Sequence, residues 1–413
     1  MGAVTSANPP SNPPAPTPWG LVVLLGSLTA MGPLAIDMYL ASLPAIGASL
    51  KADPGQVQGT MAAFLAGMAI GQVIYGPWSD RIGRRGPILL GVVIFIAASV
   101  ACALATSIEQ LLVARFVQAL GACAGGVVSR AIVRDTFNHV ETARTLSLMM
   151  LIMGLAPILA PLIGGWLLVF GWRVNFWFMA AFGLAVGVAG FLRLKESRTN
   201  ETAQQAAAEN AFQAYWALMG QRRLIGYALA GALNGAVLFT YIASSPDLLI
   251  GAYGIAASAF GWIFGLNAVG IIGTNQVNRW LLRRVSPDRV LATASQVATG
   301  FGVLLALAAV SGVGERWSVL PILFLLLSSF GFMQGNTMAG ALSVDPKRAG
   351  SISALMGGAS FATGALASSL AGLLHDGTPR PMALVMLAAL AGSALTLRFL
   401  ALPQSSRPSA TGA

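Results

Sequence analysis

Two charged side chains of this sequence lie well inside apolar runs, and both could do chemistry. Asp37 sits in Ile36-Asp37-Met38-Tyr39-Leu40-Ala41-Ser42-Leu43-Pro44, and Arg115 sits in Leu111-Leu112-Val113-Ala114-Arg115-Phe116-Val117-Gln118. Lipid and packed apolar side chains disfavour a carboxylate's charged form, so a buried carboxyl can take up and release a proton. A guanidinium keeps its charge and can attract that carboxylate or a polar ligand. With 1.5 Å of rise per residue, Arg115 lies roughly 9 Å from one helix end and Asp37 about 15 Å from the same side. Those depths allow the two to meet, and Gln118, one turn from Arg115, shares its face. Asp37 is read as a proton carrier and Arg115 as its partner. The competing readings are a structural ion pair and an arginine satisfied by backbone carbonyls.

The elements that must hold these residues follow from composition. Of 413 residues, 56% are apolar and only 9% are Asp, Glu, Lys or Arg. Twenty-four basic and 14 acidic side chains cannot clothe a water-facing globule of this size, so lipid must be the main solvent. About twenty apolar residues span a bilayer as a helix, and about twelve such helices use up the apolar content. A β-barrel would show short alternating segments instead of runs such as Leu21 to Met38, Gly86 to Thr106 and Met382 to Leu397. The runs predict spans near 20–46, 57–78, 86–106, 110–130, 145–169, 174–192, 223–245, 257–279, 289–311, 317–341, 350–374 and 381–401.

With the N-terminus cytoplasmic, nineteen of the 24 basic residues fall on the cytoplasmic side. Lys51, Arg173, Arg316 and Arg380 fall opposite, and Arg115 is inside a span. This asymmetry predicts a multi-pass bacterial inner-membrane protein with both termini cytoplasmic. It also explains the net charge of +10 as a topology signal matched to anionic lipid, with no nucleic-acid partner. Residues 1–18 lack the basic start of a signal peptide and read as a disordered tail. The polar interruption 194–221 divides 19–193 from 222–402 as two six-helix bundles, and 403–413 reads as a second tail. Two such halves with a site near the midplane are a transporter design.

Gly76-Pro77-Trp78-Ser79-Asp80-Arg81-Ile82-Gly83-Arg84-Arg85-Gly86 reads as a tight basic turn between the second and third spans, with glycines where the backbone bends. The string resembles the major facilitator superfamily signature Gly-x-Leu-x-Asp-Arg-x-Gly-Arg-Arg, with Trp78 in place of Leu. Arg115, Gln118 and Gly121 match that superfamily's span-four arginine motif. Ala156-Pro157-Ile158-Leu159-Ala160-Pro161-Leu162-Ile163-Gly164-Gly165 looks like the drug/proton antiporter motif Gly-x-x-x-Gly-Pro-x-x-Gly-Gly, with Ala156 and Ala160 replacing two glycines. With Asp37-Met38-Tyr39-Leu40 before Pro44, the chain is similar to the bicyclomycin/chloramphenicol-resistance (Bcr/CflA) branch of drug exporters.

The resemblance implies an all-α fold of twelve transmembrane helices in two pseudo-symmetric halves. It implies proton-coupled export of drug-like molecules by alternating access, with Asp37 as the coupling acid and Arg115 as its partner. It assigns Gly76, Asp80, Arg81, Gly83, Arg84 and Arg85 to a cytoplasmic gate, with Asp80, Arg81 and Arg84 locking it in the outward-facing state. It gives Pro157, Pro161, Gly164 and Gly165 the shaping of the interface between halves. A relative's second first-span acid corresponds to Thr29 here, so a two-carboxylate scheme has no support. Met38, Tyr39, Gln118, Asn234, Phe239 and Asn336 are candidates for the substrate cavity. The other second-half amides, Asn267, Asn275, Gln276, Gln296 and Gln334, are expected mainly to bridge helices.

Cys102 and Cys123 lie in apolar runs, and His139 and His375 fall in opposite loops, so no metal site is expected. The expected partners are a hydrophobic or neutral small molecule and the bilayer, the coupling ion is the proton with no other cofactor, and the chain is expected to act as a monomer. The alternatives are a metabolite transporter on the same fold and, from another class, a membrane enzyme or sensor. No nucleophile motif or phosphate loop supports the last.

Overall fold

The computed structural model describes residues 19–199, 204 and 211–402. The two tails, most of 200–210 and the side chains of His139, Val140, Ala143, Ala211, Phe212, Gln213, Ala214 and Lys347 lie outside the described residues.

Among the described residues twelve helices are long and apolar enough to cross a membrane. Numbered in chain order they are spans 1 (Trp19–Leu50), 2 (Pro54–Ile82), 3 (Arg85–Leu104), 4 (Ile108–Thr136), 5 (Arg144–Phe170), 6 (Arg173–Arg193), 7 (Arg222–Ala252), 8 (Ala257–Leu281), 9 (Pro287–Ser311), 10 (Glu315–Val344), 11 (Ala349–Leu373) and 12 (Arg380–Ala401). Their outward surfaces carry large apolar side chains such as Trp262, Leu366 and Val113, the composition that lipid selects. A short helix, Ala211–Met219, lies in the connection between spans 6 and 7.

Helix starts follow local chemistry. Span 2 begins at a capping box, where Asp53 Oδ1 accepts from the Gln56 backbone N–H (2.8 Å) and Gln56 Oε1 accepts from that of Asp53 (3.0 Å). Pro54 fills the first helical position, where a missing N–H costs nothing. Span 9 stops at Gly312, whose φ of +67° is reached without strain only by glycine.

Two sequence expectations need correction. The string from Gly76 to Gly86 is mostly helix, because span 2 continues through Ile82 and the turn is confined to Gly83 and Arg84. Only Gly83 is bent there, at φ +108°, whereas Gly76 and Gly86 lie in open helical positions. Span 4 likewise runs six residues past the expected end, so Arg130 and Arg134 are helical. Charged residues near a helix end solvate readily at the membrane surface, so they do not stop the helix.

Span 1 is broken in its interior. Its α-helix ends at Asp37, a 3₁₀ turn covers Leu40–Ser42, and a new helix runs Leu43–Leu50. Pro44 explains the restart, since its ring would strike the Leu40 carbonyl in a continuous helix and it has no N–H to donate.

Packing repeats with a shift of six spans. Span 1 packs on 4 and 5, span 2 on 4, and span 3 on 4 and 6; span 7 packs on 10 and 11, span 8 on 10, and span 9 on 10 and 12. The halves join where span 2 meets span 11 and span 5 meets span 8. Small residues permit both crossings. A Cβ on Gly55 would lie 2.6 Å from the Gly372 carbonyl, and one on Gly261 would lie 3.1 Å from the main chain at Pro161 and Leu162.

Candidate functional site

The break in span 1 carries the site. Asp37 ends the helix and is 3% exposed, with no ion pair or hydrogen-bonding partner for its carboxyl group among the described residues. Two residues on, Tyr39 is fully buried and lies flat against Arg115. The Arg115 guanidinium is 4.1 Å from the Tyr39 ring centre and 4.2 Å from that of Phe64 in span 2. Phe176 of span 6 closes a third side at 5.9 Å. Aromatic faces attract a cation through their quadrupoles, most strongly where water is absent.

Arg115 is 0% exposed and makes one hydrogen bond, from Nη1 to Gln118 Oε1 (2.6 Å). Gln118 Nε2 in turn donates to Ser99 Oγ (2.8 Å) of span 3 and reaches Met179 Sδ (3.5 Å) of span 6. Nε and Nη2 of Arg115 have no hydrogen-bonding partner. No ion pair joins Arg115 to Asp37 in this conformation, so the contact that their depths allow is not made here. Among the described residues three charged side chains are buried, Asp37, Arg84 and Arg115, and of these only Arg84 has a counter-ion.

The span-five motif fixes the break from behind. The Gly164 backbone passes so close to the Met38 carbonyl that a Cβ would overlap that oxygen. Asn175 of span 6 secures the same region, donating to Ser42 Oγ (2.8 Å) and toward the Gly164 carbonyl (3.4 Å). Gly165 faces the second half, where a Cβ would lie 3.3 Å from the Ala257 carbonyl. Ala160 and Pro161 are buried, while Ala156 and Pro157 are half-buried.

Of the remaining cavity candidates, Met38 is buried at the break. Phe239 packs on Phe361 with ring centres 5.2 Å apart. Asn234 Oδ1 accepts from Ser393 Oγ (2.9 Å), tying span 7 to span 12, and Asn336 Nδ2 donates to Asn278 Oδ1 (3.0 Å), tying span 10 to span 8. Both amides thus bridge helices and are buried. Asn275, Gln276, Gln296 and Gln334 have exposed side chains instead. Residue type alone could not separate the two sets, because an amide suits either place.

The turn between spans 2 and 3 forms a second cluster on the basic face. Arg84 donates through Nε to Asp135 Oδ2 (2.7 Å), through Nη1 to Ser79 Oγ (2.9 Å), and to Asp80. Glu196, just past span 6, accepts backbone N–H bonds from Arg84 (2.8 Å), Arg85 (3.1 Å), Ser197 (3.1 Å) and Arg198 (3.0 Å). Arg85 also donates to the Phe191 carbonyl (3.0 Å), and Arg198 donates to that of Arg81. A Cβ on Gly83 would sit 2.6 Å from Glu196 Oε2, so the glycine serves both the bend and the carboxylate. The ion pairs of Arg84 stay within the first half. Asp80 reaches farther, because burial first and the Asp80 charge second raise the Tyr215 hydroxyl in the connecting helix above the ordinary tyrosine range.

Asp135 and Glu196 complete this cluster, and sequence reasoning missed both. The only sequence signal was an acid close to a helix end facing a basic turn, which many surface acids share.

Burial acts to raise Glu196, but the four N–H donors outweigh it and hold the carboxyl below the ordinary glutamate value of 4.5. Its stabilising effect is therefore complete above about pH 4.5 and is lost as pH falls through the depressed native value. Glu196→Gln is expected to lower the melting temperature by a few degrees at pH 7 in detergent. The gap should close at acid pH, and an unchanged gap at both pH values would contradict the clamp.

On the opposite face His375 Nε2 lies 2.6 Å from Asp247 Oδ2, joining the loop after span 11 to the end of span 7. Among the described residues no group of three His, Cys, Asp or Glu could hold a metal ion.

The sequence profile of the Major Facilitator Superfamily matches residues 25–368. The chain is 34% identical over 382 residues to "Uncharacterized MFS-type transporter YdgK" of Bacillus subtilis, covering 91% of this chain and 94% of that one. It is 30% identical to "Bicyclomycin resistance protein homolog" of Haemophilus influenzae (92% and 95% covered) and 31% identical to "Multidrug resistance protein MdtL" of Escherichia coli (91% and 94%). Among solved structures it superposes on a D-xylose-proton symporter with a TM-score of 0.74 at 11% identity, covering 93% of this chain and 98% of that one. A bacterial homolog of the human lysosomal transporter Spinster, inward-facing and unoccupied, gives 0.72 at 16% identity with 93% and 98% covered.

Proposed function

Because the chain belongs to the Major Facilitator Superfamily, and is thus a membrane transporter and not an enzyme, we propose that it exports small hydrophobic or neutral drug-like molecules in exchange for protons. The observation that carries this reading is the pair of buried charges, Asp37 and Arg115, at the break in span 1, neither with a counter-ion. The names of the Haemophilus and Escherichia relatives support a drug-like cargo and outward transport.

The coupling follows from electrostatics. A carboxylate without a counter-ion in this interior costs several kcal/mol, so the arrangement described fits Asp37 in its neutral form. Once it loses its proton, Asp37 is drawn toward the unpartnered Nε and Nη2 of Arg115, and Tyr39 is the lever between them. That movement displaces the Met38 carbonyl from Gly164 and so disturbs the span 5 to span 8 crossing. Substrate and proton then compete for one bistable element.

Each proton moving inward releases about 2.3 kcal/mol per 100 mV. The proton is the coupling ion and no cofactor takes part. The basic face is assigned to the cytoplasm by the positive-inside rule, with the protein a monomer in a bacterial inner membrane. Met38, Tyr39 and Gln118 are assigned to the substrate cavity, and Gly76, Asp80, Arg81, Gly83, Arg84 and Arg85 to the cytoplasmic gate.

The test is expression in a pump-deficient bacterium with labelled antibiotics, comparing accumulation with and without a protonophore. Expressing cells should hold less of at least one compound, and the protonophore should erase the difference. Equal accumulation for every compound would sink the export reading.

A further inference from the structure

Spans 7 and 8, on which the turn after the break packs, carry a buried polar pair. Tyr241 of span 7 is 2% exposed and its ring stacks on Phe264 of span 8, with centres 5.5 Å apart and planes 15° apart. Its hydroxyl oxygen accepts a hydrogen bond from Asn267 Nδ2 (2.8 Å). Among the described residues the Tyr241 O–H hydrogen has no acceptor. A buried hydroxyl normally donates as well as accepts, so this is an unused donor held by a fixed ring and an amide.

The candidate acceptor is Asp37, the one buried carboxyl among the described residues. The 3₁₀ turn Leu40–Ser42, three residues beyond it, packs directly on spans 7 and 8. Arg115, the other charged group near the break, has its aromatic and amide partners within the first half, and its free Nε and Nη2 can draw one carboxylate oxygen while the other stays open to a donor from the second half.

We propose that Tyr241 is the second half's hydrogen-bond donor to the Asp37 carboxylate, with Asn267 as the positioning residue that aims the phenol. Asn267 donates to the tyrosine oxygen and so leaves its hydrogen free for the carboxylate. The bond forms when Asp37 has lost its proton and joins the halves across their interface. Protonation of Asp37 weakens it, because a neutral carboxyl is a poorer acceptor. The proton state of one residue in span 1 is thereby registered by spans 7 and 8, a link that Arg115, within the first half, cannot provide. This inference rests on Asp37 being the proton-exchanging acid.

The experiment uses the purified full-length protein in lipid and needs no substrate. Infrared difference spectra between acid and alkaline pH are recorded for the wild type, and the Asp37 carboxylate band is identified by its loss in Asp37→Asn. Tyr241→Phe keeps the stack on Phe264 and removes only the hydroxyl. It should shift the Asp37 band by several wavenumbers, toward that of a carboxylate with one donor fewer. Asn267→Ala should shift it in the same direction by less, and it serves if the phenylalanine variant does not fold. A band at the wild-type position in the folded variants would overturn the proposal. The absence of any band lost in Asp37→Asn would instead refute Asp37 as the acid and leave the function reading at fault.

Discussion

Asp37→Asn is expected to abolish uphill transport while the protein folds and inserts normally. The amide has the same shape and is polar, so the break between Asp37 and Leu43 keeps its packing. It cannot exchange a proton, so substrate movement no longer depends on the proton gradient. For one proton per neutral molecule, a wild-type protein can sustain a drug gradient of roughly 50-fold per 100 mV. The variant should sustain none, yet still exchange labelled for unlabelled drug at equilibrium. Its melting temperature should equal or exceed that of the wild type, because a buried ionisable group without a partner has been removed. Retained proton-driven accumulation would refute the role given to Asp37.

Gly164→Ala is expected to have the second largest effect. A single methyl there would overlap the Met38 carbonyl, and neither partner can yield easily. Gly164 is buried in span 5, and the Met38 region is secured by Asn175, Ser42 and the Tyr39–Arg115 stack. Overpacking of this kind typically costs about 1–3 kcal/mol, and relieving it would push the break away from span 5. Transport should fall at least tenfold with a measurable loss of melting temperature. Gly165→Ala is the control, since its Cβ meets the Ala257 carbonyl at 3.3 Å and a few tenths of an ångström relieve it. Equal effects of the two substitutions would contradict the assignment of Gly164 to the break.

The features legible in the sequence were those with a one-dimensional signature. Twelve apolar runs gave twelve helices, and Asp37 and Arg115 stood out because a charge inside such a run has few reasons to be there. Gln118 could be placed against Arg115 by helical spacing alone, and the 2.6 Å bond agrees with that placement. What depends on distant chain segments was not legible. The aromatic sandwich around Arg115 draws on spans 1, 2 and 6, and Tyr39 and Phe64 look like ordinary core in their own runs. Asp135 and Glu196 lie 51 and 112 positions from Arg84, the residue they hold. The turn after span 2 was drawn too long because charge was taken as the end of helix, and a helix can carry charge past the membrane surface. Tyr241 was overlooked because the role proposed for it lies in what faces it.

The central claim, that drug movement is tied to proton movement through Asp37, is tested most directly in proteoliposomes that enclose a pH-sensitive dye. An outward drug gradient imposed without any ion gradient should drive protons the opposite way, and the Asp37→Asn protein should show drug flux without a dye signal. A wild-type protein that moves drug with no proton flux, or a variant that still moves protons with drug, would contradict the account.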